Sequence, residues 1–422
     1  MNYKRTTIAI SLVVTLALLV SACTSAGTAT PTPTKPAAAT AAAKAPAAEA
    51  TKPAAQATKP AAEAAKPAAE STKVPATEAT KPAAAPKPPE GPLPKSLTMG
   101  TLSPGSTLNA VATGLSKVAS DVGPMQVIVQ PFSGGPAWIP QMMSTGKPEV
   151  GVLNVVEAWE AFTGKATPKP LPGGATIPSP YDKAYGDLRG LLTGTDLVVG
   201  ILVRKDSKYQ TPEDLKGARV AWGFKAHPGN ALATYANFAL AGMTANDIQP
   251  VEVPDATAGV RALQEGRVDA ACAAVGMGVI AEADAQVGVR FLDAPSNPTP
   301  ENMNVAQGIM PGSRITKQKA GSSAGLVKDT NIWSYQIIVV TSTKLPDNVA
   351  YTLVKTWWEN NDKLKPLHVS FTDWTTNLYV SKTTTIPYHP GAIAFYKEKG
   401  VWPAEMDQNQ QVLLKGELPF LK

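Results

Sequence analysis

Three short segments have residue types able to receive an anionic group. SPGST (103–107), FSGGPAW (132–138) and KAHPGN (225–230) each follow an apolar run that reads as a strand. Each leads toward a helical pattern and would present free backbone N–H groups at a helix start, a receptor for a carboxylate. Turns call for the same Gly, Ser and Pro, so any one segment also reads as a plain turn. Ser106 and Thr107 supply two hydroxyls, one to face a ligand and one to cap the helix. Gly134 and Gly135 permit close backbone approach. His227, Gly229 and Asn230 sit at the third helix entry, where Asn230 either caps the helix or binds ligand. Asn154 ends an apolar strand and offers both a donor and an acceptor. Trp138 reads either as a pocket wall or as helix-face packing, and Trp159 as core.

Reactive chemistry is poorly served. The three histidines are His227, His368 and His389, and no HExxH, no GxSxG with partners, no Walker loop and no cysteine cluster accompanies them. A positioned acid, base and nucleophile are what catalysis needs; the reading is a protein that is not an enzyme, with no cofactor and no metal. The two cysteines have separate roles. Cys272 lies in the apolar run DAACAAVGMGV and reads as a small core residue. Cys23 closes Val20-Ser21-Ala22-Cys23, after the basic Lys4 and Arg5 and an apolar run from Ile8 to Val20. That run is about 13 residues, short of the roughly 20 that span a bilayer, and the pattern is that of a cleaved lipoprotein leader. Cys23 is therefore expected to be the acylated new N-terminus, held at the extracytoplasmic face of a membrane, because two acyl chains anchor durably where one does not.

Residues 23–94 are almost entirely Ala, Pro, Lys, Thr and Glu, with lysines at a seven-residue spacing at Lys52, Lys59, Lys66 and Lys73. Proline in the repeats and the lack of any large apolar seam exclude a coiled coil. The stretch reads as a disordered tether that, at ~3.1 Å per residue, reaches ~220 Å fully extended. It also carries much of the charge. The linker's eight Lys against five Glu and the leader's two cations account for all but +1 of the formal +6. With no basic stripe interleaved with aromatics, nucleic acid is not a partner.

The elements that must position these residues come from the remaining roughly 330 residues, enough for two lobes. Strand patterns fall at 96–101, 125–130, 149–155, 197–203, 218–222, 250–253, 269–275, 289–293 and 335–342. Helical patterns begin at Thr107, Trp138, Val156, Gly229, Ala256, Gly278, Pro346 and Gly391, and TPEDLKG (211–217) carries start signals of its own. Val349, Leu353 and Trp357 recur at every fourth position and share one helix face. Strands alternating with helices indicate an α/β fold with parallel sheets, whose ligands sit at the carboxyl ends of strands.

From about Leu97 to Trp402 the chain resembles the TAXI-type extracytoplasmic solute receptors of tripartite ATP-independent (TRAP) transporters. The resemblance is carried by TMGTLSPGSTLNAVATGLSKV, VIVQPFSGGPAWIPQMMSTGK, VGVLNVVEAWEAFTG, DLKGARVAWG and LQEGRVDAACAAVG, and most specifically by IPYHPGAIAFYKEKGVW (386–402). It implies a two-lobed periplasmic-binding-protein-like fold of type II. Lobe 1 would comprise 95–196 and 335–422 and lobe 2 would comprise 197–334, with LVVGILV and YQIIVVTS as crossover hinge strands. Trp222 and Trp333 would then lie near the lobe junction and could stack on a ligand, and His389 would be structural. Two departures bear on the ligand. Asn154, Val155 and Val156 stand where the family's amino-acid binders have Gln-Ser-Asp, so an acid is missing unless Glu157 replaces it. His227 to Ala231 stand where the family often has Gly-Ser-Gly-Thr followed by Arg, so a carboxylate clamp is missing.

What the resemblance implies for function is a membrane-anchored receptor that captures a small organic anion or amino acid-like solute and delivers it to the membrane permease subunits of a TRAP transporter. Receptors of ATP-driven importers and ligand-presenting sensory lipoproteins are the alternatives, since they use similar two-lobed proteins.

Overall fold

The computed structural model describes residues 87–168, 177, 179–295 and 297–421. The acylation motif at Cys23 and the repeats up to residue 86 lie outside the described residues. The first βα units build a parallel set. β1 (Ser96–Thr101) leads through α1 (Thr107–Val122) to β2 (Gln126–Pro131), and through α2 (Gly135–Thr145) the chain reaches β3 (Val150–Asn154), which continues into α3 (Val155–Thr163). β1 pairs in parallel with both β2 and β3. β4 (Leu188–Arg204) then crosses to a second parallel set made of β5 (Arg219–Gly223), α4 (Pro228–Leu240), β6 (Gln249–Val253), α5 (Ala256–Gln264), β7 (Ala270–Ala274) and α6 (Gly278–Val287). After β8 (Val289–Phe291), α7 (Pro300–Ile309) and β9 (Arg314–Gln318), the long β10 (Thr330–Ser342) returns to the first set. There α8 (Asp347–Glu359), α9 (Pro390–Glu398) and α10 (Glu405–Leu413) complete the chain.

Among the described residues the strands form one sheet in the order β2-β1-β3-β10-β4-β7-β5-β6, with β8 added to β4 and β9 to β10. The α/β class is as expected from the alternating pattern, but the sheet is mixed rather than parallel, because β4 and β10 run antiparallel to their neighbours. β10 borders the first parallel set and β4 the second, so the β4–β10 pairing joins the two. β3 pairs with Ile337–Thr341 of β10, and β7 pairs with Val199–Val203 of β4. At the edge of the β3 attachment the β4–β10 register slips, since Gln336 faces Asp196 but Ile338 faces Thr193, and a second slip, between Val339 and Val340, lies within that attachment. An extra residue in one strand bends it and deepens its twist. Gly194 lies in the first slip, where a Cβ would stand 2.1 Å from the Trp374 ring.

Trp138 decides how α2 is placed. Gly100 and Gly151 are register partners on β1 and β3, and a Cβ on Gly151 would lie 2.3 Å from the Trp138 ring. The two glycines leave a recess in the sheet that the fully buried indole fills, so its role is packing. The expected face of α8 is buried as a set: Val349, Leu353 and Trp357 are all at most 1% exposed. Trp357 also donates its Nε1–H to the Leu115 carbonyl at 2.9 Å, tying α8 to α1. Replacing Trp357 by Ala removes the ring and that bond, and should cost about 3–5 kcal/mol. Trp357→Phe, which fills most of the volume, should cost clearly less. Urea midpoints at unchanged slope are the check.

Candidate functional site

Right-handed βα units place every helix start at the carboxyl edge of its strand, and in this chain five such starts meet. One buried cavity, of about 30 Å³, is lined by Ser106 and Thr107 of α1, Asn154 and Glu157 of α3, His227 and Asn230 of α4, Ala256 of α5 and Met277 at the entry to α6. Leu197 and Val199 of β4, Ala274 of β7 and Tyr335 of β10 also line it. Tyr335 is the register partner of Leu197. At roughly 15 Å³ per water, the space holds about two waters, far below the several hundred Å³ of a site closed around a larger solute.

Most polar groups of the lining are already bonded. Ser106 Oγ donates to Ser103 O at 2.8 Å and accepts from the Asn109 N–H at 3.2 Å, so it is the cap of α1. Thr107 donates to Val275 O at 3.2 Å, across to the second parallel set. Asn154 Oδ1 accepts from the Glu157 N–H at 2.9 Å, and its Nδ2 donates to Glu157 Oε2 at 3.2 Å. Asn230 donates to Cys272 O at 3.1 Å, joining α4 to β7. Tyr335 donates to Gly229 O at 3.3 Å. His227 differs. Its Nδ1 accepts from the Ala256 N–H at 3.2 Å, which leaves the proton of the neutral ring on Nε2. Nε2 has no hydrogen-bond partner among the described residues, and the side chain is 3% exposed. Burial pushes the His227 pKa down; Asp255 and the nearby backbone of Ser133 oppose this, although Ser133 completes no well-formed bond to Nε2.

The acidic side of the site is Glu157. Its Oε1 accepts from Tyr181 Oη at 3.0 Å, and neither Lys nor Arg lines the cavity. Burial drives its pKa up to about 7, against the bonds from Tyr181, Asn154 and the backbone of Gly135. Glu160, one turn along, rises to about 9 through burial and then through Glu157, with Ser179 opposing. Burial also lifts Cys272 to about 12, consistent with an inert core thiol.

Of the residues singled out in the sequence, Ser106, Thr107, Asn154, His227 and Asn230 are brought together in this cavity. The glycines are not part of its lining. They allow close approach, but of protein to protein. A Cβ on Gly134 would lie 1.4 Å from Ala226 O, one on Gly135 would lie 2.2 Å from Glu157 Oε1, and one on Gly229 would lie 2.3 Å from Asn154 Nδ2. Trp333 lies outside the lining, wholly buried with Nε1 3.3 Å from Met310 Sδ. Trp222 packs edge-on against Tyr235 and Phe238. Trp159 donates to Gly416 O at 3.1 Å, and His389 caps α9 by accepting from the Gly391 N–H at 3.2 Å. Glu157 stood in the sequence only as a possible replacement acid, and Tyr335 and Met277 were missed. Alternation along the two crossover strands was the signal for Tyr335, because it sets Leu197, Val199 and Tyr335 on one face.

Residues 99–400 match the model of the NMT1-like family, and the chain belongs to that family. It is similar to the periplasmic aliphatic sulphonate-binding protein SsuA from Escherichia coli, at 15% identity over 76% of this chain and 86% of that one, with a TM-score of 0.38. A structure described as a periplasmic transporter is similar at 13% identity over 76% and 97%, with a TM-score of 0.44. The substrate-binding protein of an amino acid ABC transporter is similar at 11% identity over 64% and 96%, with a TM-score of 0.36.

The two buried carboxyls give the fold a definite pH dependence. Both have folded-state pKa values above their ordinary 4.5, so the native state holds more protons than the unfolded chain. Their contribution is full below about pH 4.5 and is lost as pH rises, through about 7 for Glu157 and on to about 9 for Glu160. For Glu157 alone the loss is on the order of 3 kcal/mol. Urea midpoints should therefore fall from pH 5 to pH 9. Glu157→Gln should flatten part of the fall below pH 7 only, and Glu160→Gln should flatten the fall across the whole range up to about pH 9.

Proposed function

We propose that the protein is an extracytoplasmic solute receptor, holding a small solute between two halves and releasing it unchanged to a membrane transporter. The observation that carries this reading is the meeting of five helix starts and the unpartnered Nε2–H of His227 on one buried cavity. Helix starts and an oriented donor are suited to holding an acceptor group, and the site has no nucleophile paired with a base. The halves are residues 95–196 with 335–422, and 197–334. They move about the register slips of β4 and β10, by the hinge closure such proteins use. The present geometry is the shut one: Gly278 N–H reaches Gly105 O at 3.0 Å, and His368 Nε2 lies 3.2 Å from Gly276 O. The halves must part to admit a solute of more than a few atoms.

The partner we assign is the membrane subunits of a TRAP-type importer, on the strength of IPYHPGAIAFYKEKGVW and the other matching stretches. The chain is anchored through acylated Cys23, with residues 24–94 as its leash. Purification of the anchored protein with its membrane neighbours separates this from an ATP-driven importer or a sensory kinase, since each would bring down a different class of protein.

A melting-temperature screen over amino acids, keto acids, sulfonates and carboxylates should find solutes that raise the transition, because binding to the native state stabilises it by mass action. Gly134 tests closure. Its φ of 175° is extended and open to any residue, yet a side chain there collides with Ala226. Gly134→Ala should hold the halves apart, enlarge the radius of gyration and weaken solute binding tenfold or more. Unchanged scattering and affinity would remove the closure mechanism.

A further inference from the structure

Glu157 makes the cavity electrically asymmetric. In a protein that holds a solute there, as the receptor reading requires, that asymmetry restricts what the solute can be. The Glu157 carboxyl is wholly buried and held only by neutral donors: Tyr181, Asn154 Nδ2 and the backbone of Gly135. The same cavity is lined by His227, whose Nε2–H is unpartnered, and by the starts of α1, α4, α5 and α6. One anionic group is thus provided for. A second would come to rest near Glu157 with no Lys or Arg in the lining to offset either charge, in surroundings where like charges interact far more strongly than in water.

We propose that Glu157 is a charge filter, restricting the solute to a small monoanion whose remaining polar group, where it has one, is a hydrogen-bond donor such as a hydroxyl or amino group. The proposal rests on the receptor reading. Apolar lining contacts from Leu102, Leu108, Leu197, Val199 and Met277 suit a short carbon body. The other titratable groups around Glu157 are Glu160 and Tyr181, which lie outside the lining, and Tyr335 and His227, which share it. Burial holds Glu160, Tyr181 and Tyr335 protonated and His227 neutral at pH 8. Glu157 is then the ionised member of the set.

Calorimetric titration of the full chain at pH 8 tests this with matched pairs: butyrate and 3-hydroxybutyrate against succinate, and ethanesulfonate against 1,2-ethanedisulfonate. Wild type should bind the tighter monoanion of a pair at least tenfold better than its dianion. Glu157→Gln should bring that ratio within about threefold, chiefly by admitting the dianion. Glu157→Asp, which keeps the charge, should retain the preference, and it serves if the Gln variant does not fold. A wild-type protein that takes dianions as well as monoanions would overturn the filter and leave the receptor standing. If nothing in these pairs binds while the wider screen yields a dianionic solute, the filter is again wrong. If no solute binds in either experiment, the receptor reading falls with it.

Discussion

The antiparallel pairing of β4 with β10, from Leu188 opposite Ser342 to Val199 opposite Trp333, is the strand pairing that joins the two parallel sets into one sheet among the described residues. β3 hangs from one end of this ribbon and β7 from the other. Everything at the cavity depends on it, because Leu197, Val199 and Tyr335 lie on the ribbon while the helix starts come from either side. The register slips fall at the β3 end of the ribbon, at Gln336/Ile338 and Val339/Val340, where the local twist is deepened. Gly194, pressed against Trp374, marks the place where the backbone must pass without a side chain.

Convergence of helix starts is a consequence of topology; the polar groups kept there are a matter of sequence. An unpaired buried donor costs about 1–3 kcal/mol, and a buried carboxyl with no cationic partner costs more still. His227 and Glu157 are retained in the same small space despite that cost, while the groups around them are bonded to one another. Such a pair has a use when a third molecule supplies an acceptor to one and a donor to the other. The glycines complete the arrangement. Gly134 and Gly229 let the segments that follow β2 and β5 approach Ala226 and Asn154 more closely than any side chain would allow.

Much of this was legible in the chain because strands flanked by strong turn chemistry announce themselves. The pattern at 96–101 coincides with β1, and the starts of α1, α5 and α6 fall at Thr107, Ala256 and Gly278 as expected. Elements with little buried surface gave no signal. β9 is largely solvent-facing, α7 buries only Ala306 and Ile309, and α10 only Met406 and Leu413. The first half of β4 was lost because Gly190, Gly194 and Asp196 interrupt its apolar run. TPEDLKG carried true start signals, including a capping box, but made only a short 3₁₀ turn over Pro212–Leu215. At the site, residue type pointed to the polar members, because Ser106, Asn154 and His227 stand at helix entries where polar side chains cap or receive. It could not tell lining from support. Trp333 and the glycines hold the walls, and which side of a wall a residue faces is fixed by packing between segments distant in sequence.

The central claim, that two halves close about the β4–β10 ribbon onto a solute, is tested most directly by a distance across the cleft. Spin labels on Lys117→Cys of α1 and Glu282→Cys of α6, both at exposed positions, can be read by pulsed dipolar spectroscopy with buried Cys272 left unlabelled. The account predicts a broad or two-peaked distribution in the free protein that collapses to one narrow peak when a solute identified by the melting screen is added. A single narrow distribution, identical with and without that solute, would contradict it.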